Sequence, residues 1–359
     1  MSETSDLIAQ SIERVLADQV DRAAYGALES GQWPERLWNA LEQAGFTSLL
    51  GAPGSSSPAQ WSDAYPVFHA LGRHAAPVPL AETAIASFLL AAHGLPAREG
   101  PLAFFDFQDD PQASATHANG GVCLDGRVPG VPWARWARAL VVAASIEGRP
   151  ILALIDAGAD GLSIQHGANL AGEPRDAVEL RSCRANAYVL LDPPGLAVDI
   201  ECYGALMRSA MMAGAIEMAL QRSAGYATER IQFGKPIAKF QAIQQSLAGL
   251  AGEATSAQSA ALAAFGSVAG VPGHFETGVA KIRTGKAAGI AASIAHQVHG
   301  AIGFTWEHPL HHSTQRLWAW RAEYGTEAQW ALRLGREAIT RRSAHFWPDI
   351  TAHHIAAAQ

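Results

Sequence analysis

The period of the hydrophobic pattern changes twice along this chain, near residues 100 and 202. That limits the fold to helices, then short strands, then long helices. Before residue 100 the spacing is helical. Ser5 is predicted to be the N-cap of a first helix with Ile8, Ile12, Val15 and Leu16 on one face. Leu37, Leu41 and Ala44 repeat the spacing, Tyr65, Phe68, Leu71 and Gly72 mark a further helix, and residues 81–93 read as a largely buried one. The stretch Gly51-Ala-Pro-Gly-Ser-Ser-Ser-Pro58 is a loop by composition.

From residue 102, short apolar runs alternate with turn residues. Strands are predicted at 102–107, 121–124, 139–144, 151–155, 162–165 and 188–191. Their separators are Asp109-Asp110-Pro111, Gly120-Gly121, Asp125-Gly126 and Glu147-Gly148, a pattern that predicts a small barrel or sandwich. Helical segments return at 207–229, 237–269, 275–298 and 327–342, lengths that fit a four-helix bundle. The expected architecture is α+β and multidomain: a helical domain over 1–98, a β-domain over 99–200 and a helical bundle over 201–359.

Composition narrows the function. With 49% hydrophobic and 16% charged residues the chain is globular, and a net charge of −7 argues against nucleic-acid binding. Cys123, Cys183 and Cys202 form no CxxC pair, and the polar, acidic N-terminus resembles neither a signal nor a transit peptide. Both features fit a reducing cytoplasm. No apolar run approaches the ~18 residues of a membrane span.

Two motifs carry chemistry. In Arg230-Ile-Gln-Phe-Gly-Lys-Pro-Ile-Ala-Lys-Phe-Gln241, Gly234 permits a tight turn, Pro236 can open the next helix, and Arg230 offers a planar, permanent cation suited to a diphosphate. In Gln297-Val-His-Gly-Ala-Ile-Gly-Phe-Thr-Trp-Glu-His-Pro309, Gly300 and Gly303 let backbone amides approach an anion. Taken singly, each also fits an ordinary helix–turn–helix or helix C-cap.

Together, in this order and at this separation, they resemble the C-terminal domain of acyl-CoA dehydrogenases, with Ala301 in place of that family's second glycine. The N-terminal segments Trp38-Asn-Ala-Leu-Glu-Gln-Ala-Gly-Phe46 and Leu71-Gly-Arg-His-Ala-Ala-Pro-Val-Pro79 resemble the family more faintly. The resemblance implies FAD bound across a subunit interface. Arg230, Phe233, Phe240 and Gln241 would hold a neighbour's cofactor, with Gln297, Gly300 and Gly303 along its adenosine pyrophosphate and Thr326 also at the cofactor. Gly325 and Arg208 would face the substrate, although the usual arginine position falls on Ala205. The implied reaction removes a proton from Cα and a hydride from Cβ of an acyl-CoA, and an electron-transfer flavoprotein reoxidises the flavin.

The chain departs from that pattern where the chemistry needs a base. The family's usual glutamate position falls on Tyr324 in Glu323-Tyr-Gly-Thr326, with Glu323 one residue early. A minority position on the preceding long helix falls on Gly204, with Glu201 about one turn away. In the β-domain, 104–111 replaces one flavin-wrapping segment, and Gly130 and Pro132 fall where another contacts the ring. Trp133 and Trp136 either compensate or pack the domain. The features that reach a neighbour's FAD remain, while the ring and base features are lost. This pattern implies a subunit without a catalytic base beside a complete second acyl-CoA dehydrogenase subunit, as in heteromeric enzymes of bacterial steroid degradation. The alternatives are a self-sufficient homo-oligomer using Glu323 and a flavin-free scaffold. His308, His311 and His312 are not expected to hold metal; Arg341 and Arg342 are expected to be a solvated helix end, and Met207, Met211, Met212 and Met218 core.

Overall fold

In a computed structural model of the protein, residues 3–51, 60–107, 113–118, 120–191 and 198–340 are described. Most of the loop expected at 51–58, the Asp109-Asp110-Pro111 turn and the Arg341-Arg342 helix end lie outside them. The described residues fall into two compact units that interleave along the chain. One draws on the stretches 1–13, 61–76 and 202–359, the other on 14–60 and 77–201.

The leading helices are α1 (Glu3–Gln19), α2 (Arg22–Glu29), α3 (Glu35–Gln43), α4 (Trp61–Arg73) and α5 (Leu80–Ala92). Ile12 and Leu16 on α1 and Leu37 and Leu41 on α3 are buried, on the faces their spacing marked. Ser5 does not cap α1. The helix begins two residues earlier, with Glu3 and Asp6 complementing its N-terminal dipole, and Ser5 is buried along it. A cap of that kind is found on α2, where Asp21 accepts from the Ala24 amide at 2.9 Å.

The second unit holds two four-stranded sheets. Its strands are β1 (Leu102–Asp106), β2 (Ser114–Ala118), β3 (Gly121–Pro132), β4 (Ala139–Ile146), β5 (Arg149–Asp156), β6 (Leu162–Gln165), β7 (Arg175–Arg184) and β8 (Ala187–Leu190). One sheet has the order β1-β4-β5-β8, with β1 and β4 parallel (Leu102 opposite Ala139); the other is antiparallel, in the order β2-β3-β7-β6. Phe105, Leu140, Val142 and Ala153 of the first sheet share a core with Val122, Leu124, Val178 and Leu180 of the second. Helix α5 packs against β1 and β4, so Leu102, Phe104 and Val141 on alternate positions are buried too. Burial of both faces explains why these strands read as unbroken apolar runs.

The remaining helices are α6 (Ile200–Glu229), α7 (Gln241–Gly266), α8 (His274–His299), α9 (Leu310–Ala322) and α10 (Glu327–Thr340). Helix α8 packs on α7, α9 and α10, and is lined by Ala280, Ala287, Ala288, Ala291, Ala292 and Ala295, all fully buried. Helix α4, with the first residues of α1, groups with this bundle rather than with α2, α3 and α5. Phe68 and Tyr65 lie 5.4 and 5.6 Å from the Phe265 ring of α7. Gly72 of α4 and Gly214 of α6 let the two backbones touch: a Cβ on either would overlap a carbonyl oxygen of the other helix, that of Met211 or His69. Met207, Met211 and Met212 are buried in the same region, as expected of core residues.

Candidate functional site

Three groups of residues assemble in the helical unit. The first follows α6. Two short strands, β9 (Ile231–Gln232) and β10 (Lys235–Pro236), form a hairpin closed by the Ile237 amide donating to the Arg230 carbonyl at 2.8 Å. Gly234 takes φ +77 at the turn, and Phe233 beside it takes φ +50, a region costly for a side chain with a Cβ. Phe233 is 91% exposed all the same, and Arg230 and Gln241 are exposed as well. Phe240 meets Phe233 edge-on at 6.0 Å, with the Lys235 ammonium 4.6 Å from its ring centre. The hairpin thus presents cations and aromatic faces outward.

The second group surrounds the end of α8. Gln297 is exposed, and Gly300 ends the helix with φ +63 and open space where a side chain would stand. Gly303 differs. It is buried, and a Cβ there would press on His299, His296 and Leu310, so packing requires this glycine whatever the ligand. A histidine–aromatic stack supports the turn: His296 lies between Phe304 (4.1 Å) and Trp318 (5.4 Å), and His299 between Tyr226 and His308 (4.6 Å each). Burial, reinforced by neighbouring cationic groups, pushes His308 down to about 4 and His312 down to about 3. Burial lowers His296 and His299 as well. His308 Nδ1 accepts from the Leu310 amide at 3.2 Å, and His311 Nδ1 lies 2.8 Å from the His308 carbonyl. The first of these satisfies the amide of the first residue of α9, and in the second the imidazole donates to a carbonyl just ahead of that helix.

The third group is the α9–α10 turn. Glu323 forms a 2.8 Å ion pair with Arg208 of α6, whose side chain is 1% exposed. The Arg208 guanidinium also lies over the Trp320 and Tyr324 rings, at 5.4 and 5.8 Å. Tyr324 takes φ +54 and Gly325 φ +84. A Cβ on Gly204 would overlap Cδ1 and Cγ of Tyr324, so that ring packs directly against the bare backbone of α6. The fully buried Lys281 donates to the carbonyls of Arg321 (2.8 Å) and Gly325 (2.6 Å), and Trp330 Nε1 donates to that of Tyr324 (2.9 Å). Thr326 caps α10 in a reciprocal box: its amide donates to Gln329 Oε1 (2.8 Å), and the Gln329 amide to Thr326 Oγ1 (3.3 Å).

Arg208, Glu323, Tyr324 and Gly325 therefore converge, and Gly204 joins them. Glu201 lies in the first turn of α6. Lys281 and Trp330 were not singled out from sequence; the one available signal was a lysine among small residues of α8. In the β-domain, Trp133 is 3% exposed with φ +60 and packs on Trp136 (5.7 Å), which meets Trp33 (5.3 Å). Trp133 is a packing residue. Gly130, at φ +73, is exposed.

Residues 202–338 match the family model of the acyl-CoA dehydrogenase C-terminal domain. Over 96% of its length the chain is 26% identical to acyl-CoA dehydrogenase IpdE2 of Mycobacterium tuberculosis, 98% of which is covered. The fold superposes on a chain of the ChsE4–ChsE5 complex from the same organism with a TM-score of 0.85 at 24% identity, over 94% of this chain and 97% of that one. It also superposes on a chain of the Tcur3481–Tcur3483 steroid acyl-CoA dehydrogenase G363A variant, with a TM-score of 0.82 at 25% identity over 93% and 97%. Residues 202–338 thus match the acyl-CoA dehydrogenase C-terminal domain, and over nearly all its length the chain is similar in sequence and fold to acyl-CoA dehydrogenases.

Proposed function

We propose that this chain is the subunit without a catalytic base in a heteromeric, FAD-dependent dehydrogenase that desaturates a bulky acyl-CoA between Cα and Cβ. One observation carries the reading: Glu323, the carboxylate beside the expected base position, is bound to the buried guanidinium of Arg208 at 2.8 Å. To take a proton from substrate, Glu323 would have to give up its charge beside a desolvated guanidinium, a cost on the order of 3–5 kcal/mol. The Tyr324 phenol in the base position itself is a weak base near neutral pH.

FAD, when bound, would accept the hydride from Cβ. The residues of this chain fit one half of its binding. Arg230, exposed at the base of the hairpin, would neutralise the diphosphate of a cofactor held mainly by the adjoining subunit. Phe233 and Phe240 would cover its apolar edge, and Gln297 with the open backbone at Gly300 would line the adenosine side. The other half fits poorly, since the Trp133 ring is buried in packing against Trp136 rather than exposed to a ligand. A complete second acyl-CoA dehydrogenase subunit would supply the base and the remaining flavin contacts. Likeness to a two-chain complex and to a steroid enzyme supports both the partner and the ring-bearing substrate. Reoxidation by an electron-transfer flavoprotein in the cytoplasm completes the proposal.

Flavin stoichiometry tests it. The chain purified alone should be nearly colourless, and co-purification with a neighbouring dehydrogenase subunit should restore a yellow complex. Arg230→Gln should lower flavin retention in that complex by about tenfold or more, as expected for a lost charge-assisted contact. A yellow, fully active chain in isolation sinks the proposal.

A further inference from the structure

We propose that the Tyr324 ring is a plug that seals the acyl-binding space of this subunit, with Gly204 as its seat. The proposal deepens the reading above and rests on it. The usual base position and the minority one fall on Tyr324 and Gly204, more than a hundred residues apart in sequence. Both positions are those the family resemblance implies, and the structure brings the two residues into direct contact: a Cβ on Gly204 would overlap Cδ1, Cγ and Cε1 of the Tyr324 ring. A base of either kind must reach the same Cα proton, so these positions bracket the point where the substrate's Cα would sit. In this chain an aromatic ring fills that point.

The ring is held from several sides. Arg208 lies over it at 5.8 Å and ties the preceding residue, Glu323, to α6. Trp330 holds the Tyr324 carbonyl, and the buried Lys281 holds those of Arg321 and Gly325. Cys202, Ala205 and Trp330 form a small apolar core against which Tyr324 and Ile282 pack. Tyr324 also keeps φ +54, a conformation unfavourable for a side chain of its size, so packing overrides the local preference. That is the signature of a ring fixed in place rather than one lying over a pocket by chance. The plug excludes the acyl chain and leaves the nucleotide part of the thioester unaddressed.

The test uses the full-length chain with coenzyme A and hexanoyl-CoA as probes, in equilibrium dialysis. Wild-type protein should bind the two with equal affinity, because no space accepts the acyl tail. Tyr324→Gly removes the ring and suits the positive φ, so it should fold, and it should prefer hexanoyl-CoA over coenzyme A by about tenfold. Tyr324→Phe should behave as wild type. Acyl preference already present in wild type, or a folded Tyr324→Gly variant without it, overturns the proposal. Gly204→Ala guards against misfolding of that variant. It should lower the melting temperature of wild-type protein but not that of the Tyr324→Gly background; equal losses in both would remove the seat. None of these readouts depends on flavin, so the plug can fail while the base-free reading stands, and the reverse.

Discussion

Glu323 and Arg208 form a pair whose partners differ in how much they lose alone. The Arg208 side chain is 1% exposed and that of Glu323 17%, so neutralising the acid takes a counter-charge from the more deeply buried partner. Glu323→Gln should therefore destabilise the protein by about 3 kcal/mol, measured by denaturant unfolding, while turnover of the assembled enzyme stays within about twofold. A large fall in turnover with unchanged substrate binding would restore Glu323 as the base. The sequence made this residue legible as an anomaly, because Gly325 and Thr326 fixed the register of the turn. It could not show the partner, since Arg208 lies on another helix 115 residues away. Ser5 failed as a cap for the opposite reason. A small polar residue ahead of an apolar run is a local signal, and burial within α1 overrode it.

Among the elements, α4 and α6 meet where Gly72 and Gly214 remove every side-chain atom between two backbones. A methyl at Gly72 would overlap the Met211 carbonyl oxygen, which no rotamer change relieves, so the helices must part. Gly72→Ala should cost about 3 kcal/mol, the upper range for overpacking, where an exposed helical glycine such as Gly249 should gain stability on the same change. Denaturant titration of the two variants side by side measures both. The spacing of Tyr65, Phe68 and Leu71 revealed α4 but gave no hint that Gly72 was a crossing point. Strands showed the same divide. Those buried on both faces were legible as apolar runs, while β2 and β7 were missed. β2 is largely exposed and carries no apolar signal. In β7 the buried positions are Asp176, Val178, Leu180 and Cys183, and two features break the alternation. Asp176 is a charge on the inner face, satisfied by Arg135 and the Gly167 amide, and Ser182 sits at φ +46 where the period slips.

At the scale of the molecule, acid acts on the helical unit at two places with the same sign. Around the α9 start, His308 is pushed down to about 4 and His312 to about 3, by burial first and then by neighbours that include Arg222. Free histidine titrates near 6.5, so the unfolded chain binds these protons first, and stability must fall as pH drops below about 6.5. Between α1, α4 and α6, Glu13 and Glu217 pair with His74, Arg73 and His69 at 2.6–3.3 Å. Burial pushes Glu13 up, but His74, Arg73 and His69 outweigh it and leave the carboxyl below its ordinary value. The hydrogen bond from His69 lowers Glu217 in the same way. A depressed carboxylate stabilises the fold above its unfolded pKa, and that contribution is lost as pH falls through the folded value. The melting temperature should therefore be level above pH 7, decline between about 6.5 and 4.5 as these histidines charge in the unfolded chain but not in the folded one, and drop more steeply below. His312→Gln should flatten the first limb and leave the second. The order of the limbs decides between causes: a protein whose melting point holds steady down to pH 4.5 has no suppressed histidines, and the stacked cluster around Gly300 and Gly303 would then be solvated and free to titrate.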